Sequence, residues 1–224
     1  MEILEQTHGE SVNEGHLGGF AIGGDGGTYY PIMWKYLVEE YGVKSVLDVG
    51  CGRGYAARFF KSLGCEIRGV DGAQRAKTES LIPEDFIHFD YTTGPLVINR
   101  VSPNGLLSMD QRVQPKQFDL GWTCEFVEHV EEKYIPNFMA TLSQCKYVAM
   151  TFASPGQGGH HHVNENTQDY WIGKFKEYGF NWDNIGTQIL RNYALKDKEE
   201  RLKIPNHPYF ISHFIDRGLL FQKA

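Results

Sequence analysis

The sequence predicts an α/β protein: a doubly wound, mostly parallel seven-stranded sheet with helices on both faces. Three observations predict it. Between residues 43 and 152, short apolar runs alternate with helix-patterned stretches, and that alternation gives parallel strands joined by crossover helices. A glycine-rich turn, Gly50-Cys51-Gly52-Arg53-Gly54, directly follows the first apolar run. Acidic residues, Asp71 and Asp90, close the next two runs.

The elements are expected in this order. Residues 1–30 form a glycine-rich leader too rich in Gly for a long helix or strand; it reads either as a flexible leader or as a loop closing over a ligand. The domain proper then spans 31–224. Pro31 suits a first helical turn, Ile32, Met33, Tyr36, Leu37 and Tyr41 follow at helical spacing, and Gly42 stops the helix. Ser45–Val49 is the first strand, Tyr55–Leu63 a helix, Glu66–Val70 the second strand, and Gln74–Leu81 a helix ending before Pro83. Phe86–Phe89 is a third strand, and Phe118–Trp122 a fourth after the long connection 91–117, which is either an insertion or a substrate-facing loop. A helix from Phe126 or Glu131 to Cys145, broken near Pro136, leads to a fifth strand at Tyr147–Phe152. Thr167–Tyr178 reads as a helix, and weaker strands near 182–191 and 218–222 close the sheet.

Composition narrows the partners. Lys+Arg is 22 against Asp+Glu 28, a formal charge of -6, which disfavours nucleic acid held by bulk electrostatics and leaves small molecules as the easier substrates. None of Cys51, Cys65, Cys124 and Cys145 forms a CxxC pair, so reduced thiols in a cytoplasmic protein are expected. Residues 1–10 do not look like a signal peptide, and no apolar run is of membrane-spanning length.

In an open parallel sheet, ligands bind beyond the carboxyl ends of the strands at the switch point. The turn Gly50-Cys51-Gly52-Arg53-Gly54-Tyr55 brings its third glycine too early for a GxGxxG dinucleotide fingerprint. Asp48, two residues before the first glycine, is poorly placed beside a pyrophosphate and suits a ligand with a cationic amine and sulfonium. Asp71, before Gly72, can accept ribose hydroxyls. Asp90 can accept from an adenine amine, with Tyr91 packing nearby.

On these residues, Leu47-Asp48-Val49-Gly50-Cys51-Gly52-Arg53-Gly54 above all, the sequence resembles the class I S-adenosylmethionine-dependent methyltransferases, whose first motif reads LDxGxGxG. The match covers about residues 41–152. It also resembles bacterial and phage-type members with a glycine-rich leader and the segment Gly159-His160-His161-His162-Val163-Asn164. The resemblance implies a Rossmann-like sheet, S-adenosyl-L-methionine as cofactor, and a cofactor site at Asp48, Gly50, Cys51, Gly52, Gly54, Tyr55, Asp71, Gly72, Asp90, Tyr91, Cys124 and Glu125.

The substrate end is read from Glu125-x-x-Glu128-His129 after the fourth strand and His160-His161-His162 after the fifth. Three readings stand. Glu128 and His129 are structural, or a histidine (His129 or His161) is a general base assisted by Glu128. In the third, Glu125, Glu128, His129 and His161 hold magnesium or manganese, similar to small-RNA 2′-O-methyltransferases with ExxEH and a later histidine; quinone-type O-methyltransferases also carry ExxEH. Of the aromatics Tyr29, Tyr30, Trp34, Trp122, Phe126, Tyr170 and Trp171, most are expected in the core. The expected function is O-methylation of a small molecule. The alternatives are an NAD(P)-dependent oxidoreductase or epimerase and a non-catalytic S-adenosylmethionine-binding regulatory domain.

Overall fold

The computed structural model describes Leu17 and residues 25–98, 117–204 and 213–224. The leader therefore falls largely outside the described residues, as does most of the 91–117 connection.

Seven strands form one sheet: β1 (Ser45–Val49), β2 (Glu66–Asp71), β3 (Phe86–His88), β4 (Phe118–Thr123), β5 (Cys145–Met150), β6 (Phe180–Trp182) and β7 (Leu219–Lys223). Their spatial order is β3-β2-β1-β4-β5-β7-β6. The first five strands pair in parallel. β7 runs antiparallel to both β5 and β6. The winding reverses between β1 and β4, so the crevice expected of such a sheet opens beyond their carboxyl ends.

Helices α1 (Pro31–Glu40), α2 (Tyr55–Ser62), α3 (Gln74–Thr78), α4 (Ile135–Leu142), α5 (Gln168–Glu177), α6 (Asn184–Leu202) and α7 (His213–Arg217) complete the chain. Two cores result. Trp34, Phe60, Leu190 and Phe214 from α1, α2, α6 and α7 pack on Val46 and Trp122. Phe138, Leu142, Trp171 and Phe175 from α4 and α5 pack on Leu47, Val148 and Phe221 on the other face. Each such fully buried side chain contributes roughly 1.5–3 kcal/mol of transfer free energy. Tyr30, Trp34, Trp122 and Trp171 are core residues, as expected.

Helix starts are capped by polar groups. Thr167 accepts from Tyr170 N–H ahead of α5, and Asp183 from Gly186 N–H ahead of α6. Pro31 opens α1, but no neighbour caps that helix. Asp197 does so from α6, accepting from Ile32 N–H at 2.8 Å and Met33 N–H at 3.0 Å. Among the described residues, no helix is long and apolar enough to cross a membrane.

The chain differs from expectation in three stretches. Residues 184–191, expected within a strand near 182–191, start helix α6; its Asp183 cap and the burial of Leu190 outweigh the β-branched composition. The segment after β4 is not a continuous helix: Glu125 takes φ +52°, two 3-10 turns follow, at Val127–His129 and Glu132–Tyr134, and α4 ends at Leu142. Pro136 lies in the first turn of α4 rather than at a break.

Candidate active site

The glycine turn folds back over β2. Gly50 N–H and Cys51 N–H both donate to Val70 C=O, at 2.9 and 3.1 Å. Gly50 has φ +73°, and a Cβ there would lie 2.5 Å from the Phe126 ring. Gly54 has φ +86°, and its Cβ would lie 2.6 Å from Ile82. Glycine is thus required at both positions, for conformation and for room. Gly52 N–H donates to Asp71 Oδ2 at 2.8 Å, and Ala73 N–H to Asp71 Oδ1 at 2.8 Å. Burial pushes the Asp71 carboxyl up, against the pull of these two amides.

A cavity opens beside this turn at the carboxyl ends of β1 and β4. Of the expected cofactor residues, Gly50, Gly52, Asp71, Gly72, Asp90 and Tyr91 line it, and so does Glu125. Phe89, Phe126 and Tyr134 give it an apolar lining beside the acids Asp71 and Asp90. Asp90 Oδ1 accepts from Thr92 N–H at 2.8 Å and shapes the rim. The Tyr91 ring meets Phe89 and Phe126 edge-on, at centroid distances of 5.3 and 6.0 Å. Its buried hydroxyl has no hydrogen-bond partner, and burial raises its pKa.

The other expected residues stand behind the wall. Asp48 lies beneath the turn and accepts from Ala57 N–H at 3.2 Å, so it faces the start of α2. Burial raises its pKa to about 7; the amide opposes this and Asp71 adds to it. Cys51 Sγ contacts Gly52 C=O at 3.4 Å, and Tyr55 accepts from Arg53. Cys124 Sγ lies 3.6 Å from the Thr151 hydroxyl oxygen. The sequence reading missed Leu17, Phe89 and Tyr134, which line the cavity; an aromatic just before Asp90 was the available signal for Phe89.

The ExxEH segment divides into two constellations. Glu125 is held by Thr151, which accepts from Glu125 N–H at 2.8 Å and donates to Oε1 at 2.9 Å. Its Oε2 lies 3.1 Å from His213 Nδ1, and His213 Nε2 lies 3.4 Å from Asp25 Oδ2. Burial disfavours a charged His213, but Asp25 and Glu125 outweigh it and raise its pKa. Neither Asp25 nor His213 was legible in the sequence, because each is far from Glu125 along the chain.

Glu128, His129 and His162 form the second constellation, their potential ligand atoms all within 4.8 Å of one another. Glu128 is fully buried, with no hydrogen-bond partner for either carboxylate oxygen. Burial, then the nearby Glu125, drives its pKa well up. His129 Nδ1 is also buried without a partner, and burial, then His162, lowers its pKa to about 4. The His129 and His162 rings are 5.1 Å apart. His161 is exposed and turned away, at φ +53°, with its ring against His160. The histidine beside Glu128 and His129 is therefore His162, where the sequence reading expected His161. Glu165, three residues after His162, was the signal that could have selected it.

No family model matches the sequence, and no curated protein does. Solved structures do. One is magnesium protoporphyrin IX methyltransferase from Synechocystis PCC 6803 with bound SAH (TM-score 0.55, 13% identity, 91% of each chain covered). With bound SAM, the same enzyme matches at 0.52 and 12% identity, over 85% of this chain and 76% of that one. A sarcosine dimethylglycine methyltransferase structure from Galdieria sulphuraria matches at 0.51 and 16%, over 86% and 84%. The chain has the class I methyltransferase fold. At these identities the likeness speaks for the fold, and the site must carry the chemistry.

Proposed function

We propose that the protein is an S-adenosylmethionine-dependent methyltransferase acting on an oxygen of a small molecule, with a divalent ion held by Glu128, His129 and His162. One observation carries this reading: His129 lines the cavity and also belongs to the buried Glu-His-His cluster, so a donor site and an ion site would share a wall. The cofactor fits the cavity residues. Each Asp71 oxygen accepts one amide and keeps a lone pair for a ribose hydroxyl, and Tyr91, Phe89 and Phe126 offer an apolar berth for a base. The ion fits because Glu128 is a buried acid with no donor, and buried charges are normally paired or coordinate metals. Two imidazoles in three donors favour manganese over magnesium.

When bound, S-adenosylmethionine supplies an electrophilic methyl on a cationic sulfur, and a divalent ion supplies Lewis acidity toward a substrate hydroxyl. This chain's residues provide alignment and exclusion of water. The depressed pKa of His129 keeps its imidazole neutral near pH 7, so a ring lone pair is free to bind an ion. Leu17 contributes to the wall: a Cβ on Gly72 would lie 2.6 Å from its Cδ2. We read 31–224 as the catalytic domain.

The test is a thermal-shift panel of S-adenosylhomocysteine, NAD and NADP, followed by methyl transfer from labelled donor to a panel of hydroxyl-bearing acceptors. S-adenosylhomocysteine alone should raise the melting temperature. EDTA should abolish transfer and manganese restore it. Stabilisation by NAD or NADP instead would overturn the cofactor; full activity in EDTA would overturn the ion.

A further inference from the structure

The loop after β5 carries a carboxylate that the proposed chemistry does not use. Glu165 Oε1 lies 3.1 Å from His162 Nδ1 and accepts from Gly158 N–H at 2.6 Å, while Oε2 accepts from Gly156 N–H at 2.8 Å. The histidine and the carboxylate are both largely buried, their side chains 9% and 18% exposed. The same loop is pinned to the cluster from its far side: Val163 N–H and Asn164 N–H both donate to Glu128 C=O, at 2.9 and 3.1 Å. Asn164 also donates to Val130 C=O at 3.1 Å. His162 thus stands between two anchors, its own ring bonded to Glu165 and its chain neighbours bonded to Glu128.

A carboxylate bonded to one imidazole nitrogen decides which nitrogen carries the proton. A carboxylate is acceptor-only, so Nδ1 must donate, and in the neutral ring Nε2 then keeps its lone pair. Room for the ring comes from Gly159, where a Cβ would lie 2.4 Å from His162 Nε2.

We propose that Glu165 is a positioning residue: it holds His162 as the Nδ1–H tautomer and presents the bare Nε2 to a divalent ion bound with Glu128 and His129. This rests on the ion site proposed above. Outer carboxylates of this kind orient ligating histidines, and losing one typically costs about 10–100-fold in metal affinity.

The test uses the full chain. Long-range proton–nitrogen correlation on the metal-free protein should show His162 protonated at Nδ1 and bare at Nε2. Glu165→Ala should give a mixture of tautomers. Manganese binding, followed by loss of the free-ion paramagnetic resonance signal, should weaken at least about tenfold in Glu165→Ala and less in Glu165→Gln, which keeps one oxygen acceptor. If Glu165→Ala does not fold, Glu165→Gln carries the same comparison of tautomer and manganese affinity, with a smaller loss expected because one oxygen acceptor remains. An Nε2–H tautomer in the wild type, or unchanged manganese affinity in a folded Glu165→Ala, overturns the proposal. The ion site fails separately: a wild type that ignores manganese yet shows the expected tautomer, lost in Glu165→Ala, leaves Glu165 positioning His162 and removes the ion.

Discussion

The two sides of the mouth between β1 and β4 handle their buried carboxylates in opposite ways. On the β1–β2 side, Asp71 accepts two backbone amides and Asp48 accepts one. On the β4–β5 side, Glu128 is fully buried and accepts none, and the His129 Nδ1 beside it is also unpartnered. The backbone finishes the first side electrostatically. The second leaves its acid without a hydrogen-bond partner, and the Arg217 charge offsets only part of the burial that raises its pKa. The difference separates acids that the backbone satisfies from an acid that no hydrogen bond reaches.

Removing the unfinished acid should have the largest effect. Glu128→Gln should lower manganese-dependent turnover more than about 100-fold, roughly 2.7 kcal/mol of transition-state stabilisation. It should leave the metal-free protein at least as stable as wild type, because burial already favours the uncharged acid there and Gln keeps that neutrality. Retained activity, or a clear loss of melting temperature without metal, would break the comparison.

On the finished side, Asp71→Ala removes the acceptor of two amides and the expected ribose partner together. Calorimetry should show S-adenosylhomocysteine binding weakened by about 1.5–3 kcal/mol; unchanged affinity would take Asp71 out of the cofactor site. Gly50→Ala should destabilise by about 1–3 kcal/mol in denaturant titration, since the new Cβ overlaps Phe126 at a positive φ. A neutral result would show that the turn relaxes freely.

The smallest effect is a pH dependence. Asp48 has its pKa raised to about 7 by burial, above its value in the unfolded chain. The native state therefore favours the protonated form. Its contribution is full below about pH 4, the unfolded value, and is lost as pH rises through about 7. Asp48→Asn, which cannot ionise, should gain melting temperature relative to wild type at pH 8 compared with pH 5. A constant offset across that range would mean Asp48 stays ionised.

The parallel sheet was legible because β1 to β5 each combine an apolar run with a turn signal, and the glycine spacing located the crevice. Asp71, Asp90 and Tyr91 followed from their positions at strand ends. What was hidden depends on long-range packing. Residues 184–191 are rich in β-branched side chains but start a helix, because Asp183 caps them and Leu190 finds a core. Of three consecutive histidines, the one that turns inward is marked in the sequence only by Glu165 three residues on, a spacing that gains meaning once the loop geometry is known. Asp25 and His213 meet Glu125 from distant parts of the chain, and no local pattern announces them.

One feature of the fold bears on how the chain is made. The first turn of α1 is capped by Asp197, a residue synthesised after every strand but β7. A ten-residue helix is marginal in isolation, and this contact spans 165 positions, so it forms late in any ordering that favours local contacts. During translation the earliest helix would wait, unsecured, for one of the last. A ribosome stalled before residue 197 would therefore present α1 with its apolar face still seeking a partner, the stage at which this chain most needs shelter from its neighbours.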